Sequence, residues 1–295
     1  MKIHHRNGYA IVPHPDYGFY QATPTPTQAE LDDYYGARFY DQQKVDYFEL
    51  QQKDKAWWDQ VFDERLDILE SLVSPRPRRM LDFGSGPGFF LKRAATRDWE
   101  VEGLEPSPKA AEFSRSQGIA THIGFLDQDF ARLNAGRYHA VYSNGVLEHV
   151  RDPLAVLAAC HELLAADGVL FLCVANDFNP IQNLLAEDLG FDPWWLCPPE
   201  HLNYFQPETL KALVEGHGFE IIDLTTTFPI DLFLLMGENY IGNATIGSAC
   251  HGRRKALEAA LIGNGHGDFK KALYRKFAEL GIGREIELVA RRRAV

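Results

Sequence analysis

The chain is poor in cysteine. Its four cysteines, Cys160, Cys173, Cys197 and Cys250, lie far apart and form no CxxC pair. That spacing argues against a structural zinc site or a disulfide framework, and it suits a reducing, cytoplasmic compartment. Long apolar runs are missing too. The richest, around residues 230–236, is too short for a membrane span and carries Asp231. The N-terminal stretch MKIHHRNGYAIVPHPDYG has no apolar core of signal-peptide length. Positive charge is in deficit. The formal net charge of −11 argues against broad electrostatic binding of nucleic acid. The balance is uneven, because residues 251–295 hold eleven Lys/Arg and five Asp/Glu, 11 − 5 = +6, leaving −11 − 6 = −17 elsewhere. A solvated face is the simple reading of this basic tail, and a patch for a phosphorylated substrate or a partner subunit is the sharper one.

What is present is alternation. Residues 1–30 are rich in Pro and Thr and read as a loose arm. From Leu31 to Val73 the pattern becomes helical and dense in aromatics: Tyr34, Tyr35, Phe39, Tyr40, Tyr47, Phe48, Trp57, Trp58 and Phe62. SPRPRR then breaks it. Beyond it, apolar strand-like runs (RRMLDFG, VEGLEPS, THIGFL, YHAVYSN, VLFLCVAND, EIIDLTTTF, EIELVARR) alternate with helical ones (GFFLKRAATR, PKAAEFSRSQG, DPLAVLAACHELLAADG, PETLKALVEGHGF). Such alternation predicts an α/β fold, a Rossmann-like doubly wound sheet covered on both faces. The expected division is an N-terminal arm and helical cap at 1–74 and a core at 75–295. Residues 229–283 are expected to form a helical insertion or lid before the last strand.

The stretch LDFGSGPGFF places Asp82 before three alternate glycines, Gly84, Gly86 and Gly88, with Ser85 among them. No Lys-Ser or Lys-Thr follows, so it is not a Walker loop. Asp82-Phe83-Gly84 matches a kinase magnesium tripeptide, but the other kinase signatures are missing. A dinucleotide or a nucleoside joined to an amino acid remains. A pyrophosphate wants amide donors and positive potential at the helix N-terminus. A carboxylate there is unfavourable, and Pro87 has no N–H to offer. A cationic α-ammonium suits Asp82 better, which points to S-adenosylmethionine. Glu105, followed by Pro106, ends the second strand and can accept from both ribose hydroxyls, a role shared with NAD sites. Asp127 can accept from an adenine amino group beside the Leu126 backbone. Asn144 and Gly145 end the fourth strand and can line the methionine side.

Taken in order, LDFGSGPGFF, GLEPS, SNGVLEHVRDP, VLFLCVAND and PPEHLNYFQPETLKALVEGHGF resemble a class I S-adenosylmethionine-dependent methyltransferase. The resemblance is closest to the bacterial group holding ubiquinone-type and sugar-modifying O-methyltransferases. It covers roughly residues 79–227 and a final strand near 284–293, and it implies an antiparallel last strand. The string FPIDLFLLMGENYIGN…HGRRKALE is similar to methyltransferases encoded among surface-polysaccharide genes. Some ubiquinone-type relatives hold a divalent ion with an acid three residues before the Glu148 position. Gly145 stands there, so no metal is expected.

Methyl transfer is an in-line displacement, helped by holding acceptor and methyl close in a dry site. A base is needed only for a hydroxyl or protonated amine acceptor. The candidates are His149, which reads first as a pocket-shaping helix-start residue, and His201, which equally reads as a capping or core histidine. Tyr204 or Asn203 can orient the substrate, and Trp194 and Trp195 can stack on it or simply pack. The expected function is O-methylation of a small molecule, a nucleotide- or lipid-linked sugar or a secondary metabolite. The expected partners are that acceptor and a second copy in a homodimer, with no nucleic acid and no membrane span. Two other readings compete: a non-catalytic cofactor-binding scaffold, and an NAD-dependent oxidoreductase, which Asp82, Pro87 and the absent GxGxxG disfavour.

Overall fold

The computed structural model describes residues 2–36, 47–74 and 76–293, without the side chain of Tyr47. Phe39 and Tyr40 of the expected cap lie outside the described residues. Three strands open the chain, β1 (His4–Arg6), β2 (Tyr9–Pro13) and β3 (Tyr20–Thr23), followed by helices α1 (Gln28–Asp33), α2 (Tyr47–Lys53) and α3 (Lys55–Leu72). Strands and helices then alternate through β4 (Arg78–Phe83), α4 (Phe89–Ala95), β5 (Trp99–Glu105), α5 (Pro108–Ser116), β6 (Ala120–Ile123), α6 (Gln128–Leu133), β7 (Tyr138–Asn144), α7 (Pro153–Leu163) and β8 (Leu164–Ala175). Helix α8 (Pro180–Asn183) runs into a π-helical turn at Leu184–Asp188. After it come β9 (Asn203–Tyr204), α9 (Pro207–Gly216), β10 (Phe219–Thr226), α10 (Leu232–Leu235), α11 (Ala244–Gly263), α12 (Gly267–Glu279) and β11 (Glu285–Arg292).

Local chemistry explains many of these boundaries. Ser107 and Asp152 cap α5 and α7, accepting from N–H groups of the first turn, and each is followed by a proline at the first helical position. Proline fits there because its missing N–H would have no intrahelical partner. Helix α7 stops at Leu163, and the Asp167-Gly168 signal falls inside β8, with Asp167 left-handed at φ 60°.

The main sheet has seven strands in the order β10-β11-β8-β7-β4-β5-β6, mostly parallel with one antiparallel strand. Strand β4 pairs in parallel with β5 on one side and β7 on the other, so the strand order reverses there. Ligands of such sheets bind at this switch, outside the carboxyl ends of the strands. The chain packs as two compact units, residues 25–172, 214–222 and 289–295, and residues 1–24, 173–213 and 223–288. The core of the first is built from buried Met80, Leu81, Leu91, Leu104, Val141 and Tyr142, among others. In the second, Ile181, Leu185 and Leu234 form a buried cluster, with Trp194 and Tyr240 packed against it.

Residues 2–24 form regular strands, contrary to the loose arm expected from their prolines. β1, β2, β3 and β9 form an antiparallel sheet in that order. Asn7-Gly8 makes the first turn, with both residues left-handed at φ 51° and 82°, between the paired Arg6 and Tyr9. Asn-Gly is the preferred two-residue hairpin turn because it tolerates positive φ twice, and this signal outweighs the prolines. No helix among the described residues is long and apolar enough to cross a membrane.

Candidate functional site

In the larger unit the glycine loop leaves β4 beside β5. The N–H groups of Gly84 and Ser85 donate to the Leu104 carbonyl at 2.7 and 3.3 Å. Gly84 is left-handed at φ 72°, and a Cβ there would lie 2.3 Å from Val146 Cγ2. Gly88 is left-handed at φ 77°, and its Cβ would meet Ser114 Oγ at 2.3 Å. Two of the three glycines are thus demanded by the protein's own packing. Buried Ser85 has no hydrogen-bond partner for its hydroxyl among the described residues.

Two carboxylates flank this loop. Asp82 is buried at the end of β4, where its backbone pairs with Gly103 and Tyr142. Burial, and then the Glu105 charge, push its pKa well above the ordinary value, while Arg65 partly offsets them. Glu105 is also buried. Its Oε2 accepts from the Gly86 N–H at 2.8 Å and its Oε1 from the Ser107 N–H at 2.9 Å. Burial pushes its pKa up to about 7 against those two bonds. Glu105 therefore ties the loop to β5, and each oxygen keeps acceptor capacity for another donor.

Arg65 is the residue that sequence reasoning missed. It is buried on α3, donates to the Tyr142 hydroxyl at 2.6 Å and Asn144 Oδ1 at 3.1 Å, and lies over the Phe171 ring. A lone arginine in a charged helix carries no local signal of burial. Asn144 is thus engaged through its side-chain oxygen. Asp127 is exposed and caps α6, with Oδ1 accepting from the Phe130 N–H at 2.8 Å, so its second oxygen is the one left for another donor. Leu126 and Pro106 are half-buried at the ends of their loops, and Gly145 is left-handed at φ 68°. His149 is half-buried and meets Tyr35 edge-on, with 6.2 Å between ring centroids.

His201 and Tyr204 belong to the smaller unit. The Tyr204 hydroxyl donates to the His201 carbonyl at 3.0 Å, and its ring is buried. That bond commits the hydroxyl's proton to holding the His201 loop. Asn203 sits in β9, with Oδ1 accepting from Gln21 Nε2 at 2.9 Å. Trp194 and Trp195 pack edge to face at 4.9 Å. The His201 side chain is 15 % exposed, with Nδ1 3.7 Å from Asp177 Oδ2. Burial opposes a charge on His201, but Asp177 and Cys197 outweigh it and hold its pKa well above the usual histidine value. The raised pKa favours the protonated ring, which must lose its proton before it can accept one.

A family profile described as a methyltransferase domain matches residues 57–224. The ubiquinone biosynthesis O-methyltransferase of Vibrio campbellii is 30% identical over 195 residues, 59% of this chain and 82% of that protein. The protein of the same name from Xanthomonas axonopodis pv. citri is 29% identical over 186 residues, 57% and 77% of the two chains. Among solved structures, a SAM-dependent methyltransferase from Archaeoglobus fulgidus matches with a TM-score of 0.53 at 15% identity, over 83% of this chain and 99% of that one. Geranyl diphosphate C-methyltransferase from Streptomyces coelicolor A3(2), solved with Mg2+, geranyl diphosphate and S-adenosyl-L-homocysteine, matches with a TM-score of 0.51 at 14% identity, over 78% and 77%. At these identities the structural likeness is one of fold.

Proposed function

The chain belongs to the methyltransferase-domain family, and on that premise we propose that it transfers a methyl group from S-adenosylmethionine to a hydroxyl oxygen of a small molecule, a sugar or a secondary metabolite. The observation that carries this reading is the pair of buried carboxylates, Asp82 and Glu105, beside the glycine loop at the switch point. A pyrophosphate would meet two acidic groups there in place of the amide donors it wants. An amino-acid ammonium and a ribose diol are matched by them. Glu105 has acceptor capacity left for the ribose hydroxyls, and the buried Ser85 hydroxyl has no partner among the described residues. Asp82 is the residue for the ammonium, and the second oxygen of Asp127 serves the adenine amino group. The likeness to ubiquinone biosynthesis O-methyltransferases supports an oxygen acceptor.

When bound, the cofactor supplies a sulfonium methyl, whose S–C bond breaks as the O–C bond forms. The residues of this chain have two tasks. The glycine loop, Asp82 and Glu105 orient the donor, and His201 takes the acceptor hydroxyl's proton once the ring is neutral. Tyr204 supports the His201 loop from behind. The test is incubation of the protein with methyl-labelled S-adenosylmethionine and panels of sugars and phenols. The expected result is label in an O-methylated product, lost in Glu105→Ala. Tight cofactor binding with no labelled product in any panel would contradict an enzyme and favour a scaffold.

A further inference from the structure

Within the larger unit, the strand order β7-β4-β5-β6 sets the ends of β4 and β5 between the loops that follow β7 and β6. The glycine loop and Glu105 stand at those two middle ends. Both outer loops are tied to the middle. The Gly124 N–H, just after β6, donates to the Glu105 carbonyl at 3.1 Å. Val146, just after β7, packs so closely on Gly84 that a Cβ there would lie 2.3 Å from its Cγ2. Each loop then carries an aromatic ring. Phe125 follows Gly124, and His149 donates its N–H to the Val146 carbonyl at 2.8 Å.

Tyr35, just beyond α1, joins the two loops. Its ring meets Phe125 edge-on and His149 edge-on, each with 6.2 Å between centroids. At the sheet these loops start three strand spacings apart, about 14 Å. A ring in contact with both lies above what stands between them, the carboxyl ends of β4 and β5. The placement is supported from behind. Thr27 and Glu30 form a capping box at the start of α1, with the Glu30 N–H donating to Thr27 Oγ1 at 3.3 Å and the Thr27 N–H to Glu30 Oε2 at 2.7 Å. Leu31 of the same helix is buried, and Tyr34 packs edge to face on Tyr35 at 4.9 Å. Tyr35, Phe125 and His149 are each half-buried, so the three rings keep surface for a further contact.

The carboxyl ends of the strands are where such a sheet binds its ligand, and the sheet itself leaves them uncovered. Methyl transfer gains from a site closed to water. A tyrosine ring supplies broad apolar area and adds no charge beside Asp82 and Glu105. We propose that Tyr35 binds the cofactor, its ring covering the ribose and sulfur of S-adenosylmethionine from the α1 side while Glu105 holds the ribose from the sheet. The assignment rests on the cofactor reading of the glycine loop. In that reading the adenine end lies beside Leu126 and Asp127, and the methionine end beside Asn144 and Gly145. Phe125 adjoins the first pair and His149 follows the second, so the ring between them stands over the middle of the cofactor.

The test is surface plasmon resonance with S-adenosylhomocysteine over the immobilised full chain, read for both rate constants, beside amide hydrogen exchange with and without the same compound. Tyr35→Ala is expected to bind about tenfold more weakly, chiefly through faster dissociation. Tyr35→Phe should stay close to wild type, because the ring and not the hydroxyl makes the cover. In wild type, exchange across residues 28–36 should slow when S-adenosylhomocysteine is bound. An unchanged thermal midpoint of ligand-free Tyr35→Ala would show that the variant is folded, and if it does not fold, the wild-type exchange result decides. Wild-type affinity and dissociation in Tyr35→Ala overturn the proposal. So do a Tyr35→Phe variant as weak as Tyr35→Ala, and exchange at 28–36 that ignores the ligand. Strong binding that is indifferent to Tyr35 leaves the cofactor reading standing, whereas no binding of S-adenosylhomocysteine to wild type strikes that reading and the proposal together.

Discussion

Lowering the pH from 8 to 6 should weaken S-adenosylhomocysteine binding about tenfold, and Glu105 sets that figure. Its carboxylate already accepts from the Gly86 and Ser107 N–H groups, and only the ionised form has acceptor capacity left for both ribose hydroxyls. Burial has pushed its pKa up to about 7. About ten molecules in eleven carry the ionised form at pH 8 and about one in eleven at pH 6, a ratio of about 10, or about 1.4 kcal/mol. Burial and the Glu105 charge shift Asp82 in the same direction. Calorimetry in buffers of different ionisation enthalpy reads both the affinity and the proton released on binding at pH 6. Glu105→Gln should bind more weakly at pH 8 and lose that tenfold step. The shift has a stability signature as well. A carboxylate with a raised folded pKa contributes stability below its unfolded value of about 4.5 and loses it as pH rises to about 7. The thermal midpoint of the ligand-free protein should fall across that window. Wild-type affinity equal at pH 6 and pH 8 would refute the reasoning, and so would a pH dependence that survives intact in Glu105→Gln.

Gly84→Ala combines positive φ with a Cβ 2.3 Å from Val146 Cγ2, and should cost about 2–4 kcal/mol of stability. Thermal unfolding checks it, and the addition of Val146→Ala should restore part of the loss. Arg65→Met removes the cation that partly offsets the Asp82 shift and the donor to Tyr142 and Asn144, and should destabilise the protein by about 3 kcal/mol. A variant as stable as wild type in a denaturant titration would show that Arg65 is dispensable. Because the pKa of His201 is raised, its proton-accepting form grows as pH rises beyond neutrality. The rate of methyl transfer should climb from pH 7 to pH 9, and a flat or falling profile would remove His201 as the acceptor's base.

The strand-end motifs were legible because they are local. An apolar run, an acid and a glycine loop sit within ten residues at Asp82, and Glu105 closes the next strand. The parallel sheet followed from alternation that repeats along residues 78–175. What could not be read depends on partners distant in sequence. Arg65 looks like any helix arginine until α3 brings it to Tyr142, 77 positions away. Tyr35 reads as one aromatic among many in a helical stretch, and only its contacts with Phe125 and His149, far along the chain, bring it to the strand ends. The N-terminal hairpin was written in Asn7-Gly8, but the nearby prolines suggested a looser chain. Tyr204 had the right chemistry for a substrate contact, and only the structure shows its hydroxyl committed to the His201 carbonyl.

The central claim is that the acidic glycine loop receives an amino-acid nucleoside and rejects a dinucleotide. Calorimetric titration of the protein at pH 8 with S-adenosylhomocysteine, and in parallel with NAD, tests it most directly. Micromolar binding of S-adenosylhomocysteine, one per chain, is expected, with no heat from NAD. Tight binding of NAD with none of S-adenosylhomocysteine would contradict the roles given to Asp82 and Glu105, and with them the proposed chemistry.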